Sequence, residues 1–235
     1  MAVGPALPRV VPFGEAALLV EWAERPDLAA NARAHALAAA LLDDPPPGLL
    51  GVIPGYASVL VEFDPLVADV AALEQRLQAS LTTPPPGARA MGRLRRIPTI
   101  YGGDFGPDLE AVAAQVGLPA AEVVARHAAT EVTVYMIGFS PGYPYMGDLP
   151  PELDVPRRAT PRELVPPGSV AIAYGQTSIY TRPTPGGWHL IGRTPRVLFD
   201  HTRDPPTYLA PGDRVRHVPI PASDWDAHAG PAPDW

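Results

Sequence analysis

The 235-residue chain contains no cysteine and no lysine, because all 18 side chains counted as Lys+Arg are arginine. Without cysteine the chain cannot form disulfides, zinc–thiolate sites, iron–sulfur clusters or a thiol nucleophile. Without lysine it lacks the amine of a Walker-type phosphate loop, of a Schiff-base enzyme and of a biotin carrier. These two absences exclude several large classes of enzyme before any motif is considered.

Long apolar runs and an excess of positive charge are also missing. No segment approaches about eighteen consecutive apolar residues, and Met1–Val10 lacks the charged start of a signal peptide, so we expect a soluble, cytoplasmic protein. The formal net charge of −7 argues against nucleic acid or an anionic membrane as partner. Glycine (21) and proline (33) together make up about 23% of the chain, so the fold should be rich in turns.

The first 86 residues alternate predicted strands with two predicted helices. Strand-like segments are Ala17–Glu21, Val52-Ile53 and Ser58–Phe63, of which the last two predict a hairpin. Apolar residues recur at helical spacing from Pro26-Asp27 to Leu42, and again after Asp64-Pro65, which would begin the second helix. The core face of that second helix would carry Leu66, Val70, Leu73, Leu77 and Leu81. The order βαββα favours a ferredoxin-like α+β domain over residues 1–86.

The rest of the chain has a different pattern. Thr82–Gly87 contains three consecutive prolines and is predicted to be a stiff linker. Arg95–Tyr101 is predicted to be a strand. From Val132 onward the chain consists of short β-branched or aromatic runs broken by proline and glycine, a pattern typical of a barrel or a sandwich. We therefore expect a mainly β domain over residues 87–235.

Two short helices, Leu109–Val116 and Pro119–His127, are predicted between that strand and the β-rich region. The pair resembles a helix-turn-helix, which also describes ordinary αα-hairpins. Residues Asp108–Glu131 hold four acids against Arg126 and His127, so the pair is poorly suited to contact phosphates or base edges. A packed hairpin is the favoured interpretation.

Gly138–Gly142 matches the G-x-S-x-G pattern of a nucleophile elbow and follows a predicted strand. In such an elbow the backbone N–H of the residue after the serine helps to form the oxyanion hole. Here that residue is Pro141, which has no N–H and disfavours a helical conformation at Ser140. The match therefore predicts a tight turn rather than a catalytic serine.

Histidine spacing predicts no metal site, because none of the six histidines has another at i+3 or i+4. Positive charge is nevertheless concentrated in one region. Residues 1–90 carry five arginines against ten acids, whereas residues 157–203 carry seven arginines against two acids, Glu163 and Asp200. An anionic ligand should bind in this second region, and the N-terminal domain should then serve assembly.

Several motifs in the same region are long enough to be specific. They include Val134–Gly147, Pro156–Arg162, Pro167–Ala173, Gly175–Thr177 and Pro185–Pro195, with Gly14–Glu21, Tyr56–Pro65 and Tyr101–Leu109 nearer the N-terminus. Together they closely resemble the kinase A inhibitor (KipI) family, whose members are also called the B subunit of 5-oxoprolinase (PxpB) or allophanate hydrolase subunit 1. The resemblance covers about residues 9 to 220. It departs at Asp148, Tyr174, Ser178 and Thr181, where glycine or proline is usual, and these departures bear on the shape of the pocket.

The resemblance implies an α+β N-terminal domain followed by a cyclophilin-like β-barrel. It implies a heteromeric complex with a homologous C subunit and an A subunit, which opens 5-oxoproline to L-glutamate with ATP hydrolysis. ATP, together with Mg²⁺, would be shared with a partner subunit, and this chain would carry no biotin. Two other roles follow from the same family: inhibition of a sensor histidine kinase, and a carboxyltransferase-type role in a urea carboxylase or allophanate hydrolase system.

Opening a lactam with ATP requires directional cationic donors for a carboxylate and for phosphoryl oxygens, which arginine supplies. The candidate arginines are Arg157, Arg158, Arg162 and Arg193. Gln176 would hold the lactam amide, and Tyr180 and Trp188 would form apolar walls. His127, which aligns with a family position, would shuttle a proton. The structural alternatives are a carbonyl clamp for each arginine, a turn for Gln176, core positions for the aromatic residues, and a helix-end role for His127.

Overall fold

The computed structural model describes residues 6–82 and 92–235 of a chain that divides into two compact units, 1–90 and 91–235. Most of the predicted linker Thr82–Gly87 therefore lies outside the described residues. Each unit has its own hydrophobic core. Within the described ranges, no helix is both long enough and apolar enough to cross a membrane.

Over residues 6–82, the N-terminal unit forms a four-stranded antiparallel sheet and two helices. In chain order these elements are β1 (Arg9–Pro12), β2 (Ala17–Glu21), α1 (Leu28–Asp43), β3 (Leu49–Pro54), β4 (Ser58–Phe63) and α2 (Val70–Thr82). Leu41 of α1 and Leu77 of α2 are fully buried in one cluster with Val59 and Val61 of the central strand β4. The predicted α+β class of this unit is thereby confirmed.

The ferredoxin-like prediction for this unit is not confirmed. The strand order is β1-β2-β4-β3, and the edge strand β1 was not predicted from the sequence. A βαββαβ unit takes its last strand from the chain after the second helix, whereas β1 precedes every other element. β1 pairs antiparallel with β2, and Arg9 Nε donates to Glu21 Oε2 at 2.7 Å across that pair.

The second helix begins later than the sequence predicted. Asp64 does not cap it, because its side chain accepts a hydrogen bond from the N–H of Leu66 (2.9 Å) in a preceding turn. Asp69 accepts instead from the N–H of Ala72 (3.0 Å), so α2 begins at Val70. Leu66, predicted on the core face, is 94% exposed.

The C-terminal unit is mainly β, as predicted. Its strands are β5 (Leu94–Tyr101), β6 (Glu131–Ile137), β7 (Pro144–Gly147), β8 (Arg162–Val165), β9 (Ser169–Ala173), β10 (Gln176–Ile179), β11 (Thr184–Gly186), β12 (His189–Arg193), β13 (Arg196–Val197), β14 (Arg214–Pro219) and β15 (Gly230–Pro231). Its helices are α3 (Leu109–Val116), α4 (Ala120–Ala129) and the short α5 (Trp225–His228), with 3₁₀ turns at Pro151–Leu153 and Ala222–Asp224. The last three were not predicted, because segments this short carry no helical periodicity.

Seven of these strands close into a barrel in the order β10-β7-β6-β14-β5-β12-β9, with β14 and β5 parallel. The closed barrel confirms the predicted architecture, while its cyclophilin-like classification stays a prediction. Ile97, Ile172, Ile179 and Val215 belong to the fully buried cluster inside it. The helix pair α3 and α4 packs on the same core, which agrees with the predicted αα-hairpin.

A second layer covers part of the outside of the barrel. Every residue of β9 is buried, although neighbouring residues of a strand point to opposite faces. Val170 and Ile172 belong to the barrel core, whereas Ala171 and Ala173 belong to a separate cluster with Val165. Val165 ends β8, which pairs with β11 as a two-stranded sheet. This two-stranded sheet of β8 and β11 therefore covers the outer face of the barrel wall.

The exposed position of Leu66 and the buried position of Leu77 make a matched test of the α2 boundary. Leu77→Ala should lower the free energy of unfolding of the N-terminal unit by about 2–5 kcal/mol, because it leaves a cavity in the core. Leu66→Ala should change it by less than about 0.5 kcal/mol. Urea denaturation followed by circular dichroism measures both, and an equal loss in the two variants would contradict the observed boundary.

Candidate functional site

An aromatic cleft lies on the outer face of the barrel, beside the two-stranded sheet of β8 and β11. Its volume is about 370 Å³, within the range of small-molecule sites. The rings of Tyr143 and Tyr145 have centroids 5.0 Å apart, those of Tyr143 and Tyr180 are 5.1 Å apart, and those of Tyr145 and Trp188 are 6.1 Å apart, all edge to face. The cleft is lined by Phe139, Tyr143, Tyr145, Arg157, Pro161, Tyr180, Pro185, Gly186, Gly187 and Trp188.

The turn that matches G-x-S-x-G forms one side of this cleft. The N–H of Ser140 donates to the carbonyl of Gly138 (2.6 Å), and the N–H of Tyr143 donates to the carbonyl of Ser140 (3.0 Å). A strand, β7, follows the turn instead of a helix. The Ser140 hydroxyl is buried with no hydrogen-bond partner among the described residues, so no base activates it. The segment is a tight turn that delivers Tyr143 and Tyr145 to the cleft.

The aromatic hydroxyls of the cleft remain protonated at neutral pH. Burial raises the pKa of Tyr143, Tyr145 and Tyr180 above the ordinary value. The positive charge of Arg157 opposes this rise for Tyr145 and Tyr180, since its guanidinium lies close to both rings. Gly186 is required here, because a Cβ at this position would collide with the Tyr180 hydroxyl.

Three of the predicted site residues, Arg157, Tyr180 and Trp188, line the cleft together. Arg157 is exposed, and no described residue forms a hydrogen bond or ion pair with its side chain. Tyr180 and Trp188 are 2% and 5% exposed, so they form the inner wall as well as part of the outer core. The cleft thus combines apolar walls with one available cation.

Arg158 and Arg162 do not line the cleft, and their predicted place in one substrate pocket needs correction. Both donate to the buried carboxylate of Asp108: Arg158 at 2.8 Å, and Arg162 through two bonds of 2.8 Å each. Burial favours a higher pKa for Asp108, but hydrogen bonds from Arg162 and the N–H of Leu190, with the charges of both arginines, hold that pKa below its usual range. The two arginines are therefore occupied by an internal anion.

Arg193 and Gln176 are also separate from the cleft. Arg193 Nε donates to the carbonyl of Pro167 (2.8 Å), and its guanidinium lies 5.3 Å from the ring centroid of Trp225 in a different cavity of about 190 Å³. Gln176 begins β10, whereas Tyr180 follows the end of that strand. The structure therefore does not bring Arg158, Arg162, Gln176 and Arg193 together at the cleft. Arg158 and Arg162 bind Asp108, Arg193 binds the carbonyl of Pro167, and Gln176 does not line the cleft.

His127 lies inside the barrel and not at the cleft. Thr177 donates its hydroxyl to the carbonyl of Ala171 (3.1 Å), so it accepts from Nε2–H of His127 (3.0 Å). Nδ1 of His127 then accepts from the hydroxyl of Tyr101 (2.7 Å). This arrangement uses both ring nitrogens of a neutral imidazole, 1% exposed, and its role as a proton shuttle stays a prediction that the cleft geometry does not support.

A second histidine, His217, packs against His127 with ring centroids 4.6 Å apart. Its Nδ1 contacts the hydroxyl of Thr99 at 2.9 Å, while its buried Nε2 has no partner among the described residues. Burial lowers the pKa of His127 from 6.5 to about 3, and burial together with the neighbouring His127 lowers the pKa of His217 well below 6.5. The barrel interior therefore holds two neutral imidazoles.

The important residues that the sequence analysis missed are Asp108, Tyr143, Tyr145 and His217. Tyr143 and Tyr145 stand in the motif-rich segment Val134–Gly147, so their density of aromatic residues was a usable signal. Asp108 lies in the motif Tyr101–Leu109, but its partners are about 50 or more positions away and could not be predicted, and the same is true of the contact between His217 and Thr99. A further cavity of about 260 Å³ in the N-terminal unit is lined mainly by apolar side chains of α1 and β3.

Two residues that depart from the usual family pattern stabilise the aromatic side of the cleft. Ser178 donates its hydroxyl to the carbonyl of Pro144 (2.6 Å), and Thr181 donates to the carbonyl of Pro141 (2.7 Å). Both bonds attach β10 and the residues after it to the turn that carries Tyr143. Neither the glycine nor the proline usual at these positions could supply such a hydroxyl.

Comparison with known proteins agrees with the barrel-plus-α+β architecture. Residues 8–209 match the family described as carboxyltransferase domain, subdomain C and D, and the chain belongs to that family. The crystal structure of TTHA0988 is 39% identical with a TM-score of 0.78, covering 88% of this chain and 40% of that chain. The structure of Kluyveromyces lactis urea carboxylase is 20% identical with a TM-score of 0.73, covering 93% of this chain and 22% of that chain, and it supports the fold alone.

The curated relatives agree with one another in name. A protein of Escherichia coli O157:H7, named as the B subunit of 5-oxoprolinase, is 43% identical over 210 residues, covering 88% of this chain and 94% of the relative. The Bacillus subtilis protein of the same name is 36% identical over 226 residues, covering 92% of this chain and 94% of the relative. These matches confirm the resemblance derived from the motifs, while the chain spans only 40% of the longer TTHA0988.

The buried histidine pair makes the folded protein sensitive to acid. The unfolded chain takes up protons on these groups below pH 6.5, whereas folded His127 stays neutral down to about pH 3. Stability is therefore full above pH 6.5 and should fall by about 1.4 kcal/mol per pH unit for each histidine as the pH drops through this window. Urea unfolding between pH 7.5 and about 4.5 measures the slope.

The variant that checks this slope is His127→Asn, which removes one of the two buried imidazoles. It should make the dependence of the unfolding free energy on pH shallower. A wild-type stability that stays constant between pH 6.5 and 4.5 would contradict the neutral histidine pair.

Proposed function

We propose that this chain is the B subunit of an ATP-dependent 5-oxoprolinase, which opens 5-oxoproline to L-glutamate. The observation that carries this proposal is the 43% identity to the Escherichia coli protein of that name, across 94% of the relative. Because the name designates one subunit of several, it supports action within a heteromeric complex, here with the A and C subunits. The chain is then part of a hydrolase and is inactive alone.

The aromatic cleft is the proposed substrate site of this chain. 5-Oxoproline is a compact ring that carries a carboxylate, so it needs an apolar wall and one cationic donor. Tyr145, Tyr180 and Trp188 supply the wall, and Arg157 supplies a guanidinium that can hold a carboxylate through two hydrogen bonds. When the lactam ring binds against this wall, water is excluded from the lactam carbonyl until that carbonyl is activated.

The nucleotide is proposed to bind with the help of a partner subunit, with Mg²⁺ accompanying its phosphates. The chain has no lysine and no phosphate loop, and it contributes one unpaired guanidinium at the cleft. ATP supplies the driving force for opening a resonance-stabilised lactam. This chain's part is to bind and orient the ring and its carboxylate.

A carboxyltransferase role is the second candidate, favoured by the description of the family to which the chain belongs. In that case a biotin carried on another polypeptide would take part in the reaction, because this chain has no lysine to carry it. Sensitivity of the reconstituted activity to avidin separates the two roles.

Inhibition of a histidine kinase through protein contact is a third role, and growth on 5-oxoproline with and without the gene separates it from the first.

Reconstitution tests the proposed function directly. The purified chain, mixed with the A and C subunits of its complex, should convert 5-oxoproline to glutamate only when ATP is present, and avidin should have no effect. The chain alone should show no turnover. Turnover by the isolated chain, or loss of turnover on adding avidin, would contradict the proposal.

Arg157→Ala in the reconstituted complex should raise the KM for 5-oxoproline at least tenfold, because losing one charged hydrogen bond costs about 1.4 kcal/mol or more. Arg157→Lys should recover part of the affinity, since it restores the charge but not the two-pronged geometry. The matched control is Arg182→Ala, an exposed arginine outside the cleft, which should leave KM unchanged. Equal KM values in the Arg157 and Arg182 variants would exclude the cleft as the carboxylate site.

A further inference from the structure

The carboxylate of Asp108 is the most heavily bonded polar side chain near the cleft. It is buried immediately before α3, and it accepts four hydrogen bonds. Oδ1 accepts from Arg158 (2.8 Å) and from Arg162 (2.8 Å), and Oδ2 accepts from Arg162 (2.8 Å) and from the N–H of Leu190 (2.7 Å). One carboxylate thus joins three segments that are distant in sequence.

Each of these partners lies within two residues of a residue that lines the cleft. Arg158 follows Arg157 directly, Arg162 follows Pro161, and Leu190 comes two residues after Trp188. Arg158 also donates its backbone N–H to the carbonyl of Gly187 (2.8 Å), another lining residue. Asp108 itself does not line the cleft, so it acts on the cleft through its partners.

The loop before α3 is attached to the barrel without the carboxylate of Asp108. The backbone N–H of Asp108 already donates to the carbonyl of Leu190 (2.9 Å), and that of Gly102 donates to the carbonyl of Ile191 (3.1 Å). Gly106 packs so closely on Ile191 that any Cβ there would collide with its carbonyl. What the side chain of Asp108 adds is the attachment of Arg158 and Arg162, and hence of the segment that carries Arg157.

We propose that Asp108 is a positioning residue for substrate binding: it fixes Arg157 and Trp188 at the separation that a small cyclic carboxylate requires. This inference rests on the proposed function for the identity of the ligand. If the exposed segment that carries the guanidinium becomes ordered only when the ligand binds, the affinity for the ligand falls. A segment that is already held in place before binding avoids this loss. Removing the charge of Asp108 should therefore weaken binding of the substrate more than it slows the chemical step.

Asp213 provides a matched control, because it is also buried and also binds backbone N–H groups and an arginine. It accepts from the N–H of Arg93 (3.0 Å) and of Ala210 (3.1 Å), and lies 3.8 Å from Nε of Arg95. None of these partners lines the cleft. Arg95 instead stacks on Tyr208, whose ring centroid is 5.8 Å from that of Trp235.

The experiment compares Asp108→Asn with Asp213→Asn in the full chain and in the reconstituted complex. Steady-state kinetics give KM for 5-oxoproline and kcat separately. The four tryptophans are labelled with 5-fluorotryptophan, and the ¹⁹F signals of Trp188 and Trp235 are assigned with Trp188→Phe and Trp235→Phe. This second measurement reports the geometry of the cleft wall without relying on activity.

Asp108→Asn should raise KM at least tenfold, change kcat less than KM, and shift or broaden the Trp188 signal. Asp213→Asn should lower the melting temperature and perturb Trp235, but leave KM and the Trp188 signal unchanged. An unchanged KM in an assembled Asp108→Asn complex would overturn the positioning role. If the wild-type complex does not turn over 5-oxoproline, the proposed function is overturned. In that case the ¹⁹F spectrum decides the positioning role, and a Trp188 signal that is the same in Asp108→Asn and in wild type would overturn it.

Discussion

One buried carboxylate shared by two arginines holds the outer layer of the C-terminal unit together. Burying the charge of Asp108 is costly, and the hydrogen bonds from Arg158, Arg162 and Leu190 offset that cost only as a complete set. Removing one partner of such a set typically costs about 3–5 kcal/mol, because the remaining charge is left buried without compensation. The segment between β7 and β8 therefore has one arrangement in which its charges are satisfied, and the cleft is formed by that arrangement.

The two faces of the barrel wall have different chemistry, and β9 separates them. Inside, His127 and His217 are buried and neutral and contact only hydroxyl groups and each other among their described polar neighbours, so the interior contributes stability that depends on pH. Outside, aromatic rings and an available arginine form a cleft open to solvent. Because β9 is buried on both faces, its small residues Ala171 and Ala173 leave room for the second layer. The same strand thus packs against the barrel core on one side and against the cluster behind the aromatic cleft on the other.

Local features could be predicted from the sequence, whereas long-range pairing could not. The strand β5, the helices α3 and α4 and the tight turn at Ser140 follow from periodicity and from the properties of glycine and proline, and the structure agrees with each. The start of α2 was missed because two aspartates compete to cap it, and propensity alone does not rank them. The site was predicted from the density of arginine, yet Arg158 and Arg162 bind an aspartate about 50 residues earlier. A charge count along the chain contains no information about such partners.

Most arginines of the region 157–203 are bound within the C-terminal unit and are not available to a ligand. Five of the seven arginines in this region have partners. Arg158 and Arg162 bind Asp108. Arg193 binds the carbonyl of Pro167, Arg196 binds the carbonyl of Pro231, and Arg203 pairs with Asp200. Among the described residues, Arg157 and Arg182 alone in this region have no such partner, and only Arg157 lines the cleft. One guanidinium matches one carboxylate, but a triphosphate needs several cationic donors around it. Under the proposed function, the one available guanidinium at the cleft would bind the carboxylate of the small ring, and the phosphates of the nucleotide would need cationic donors from another subunit.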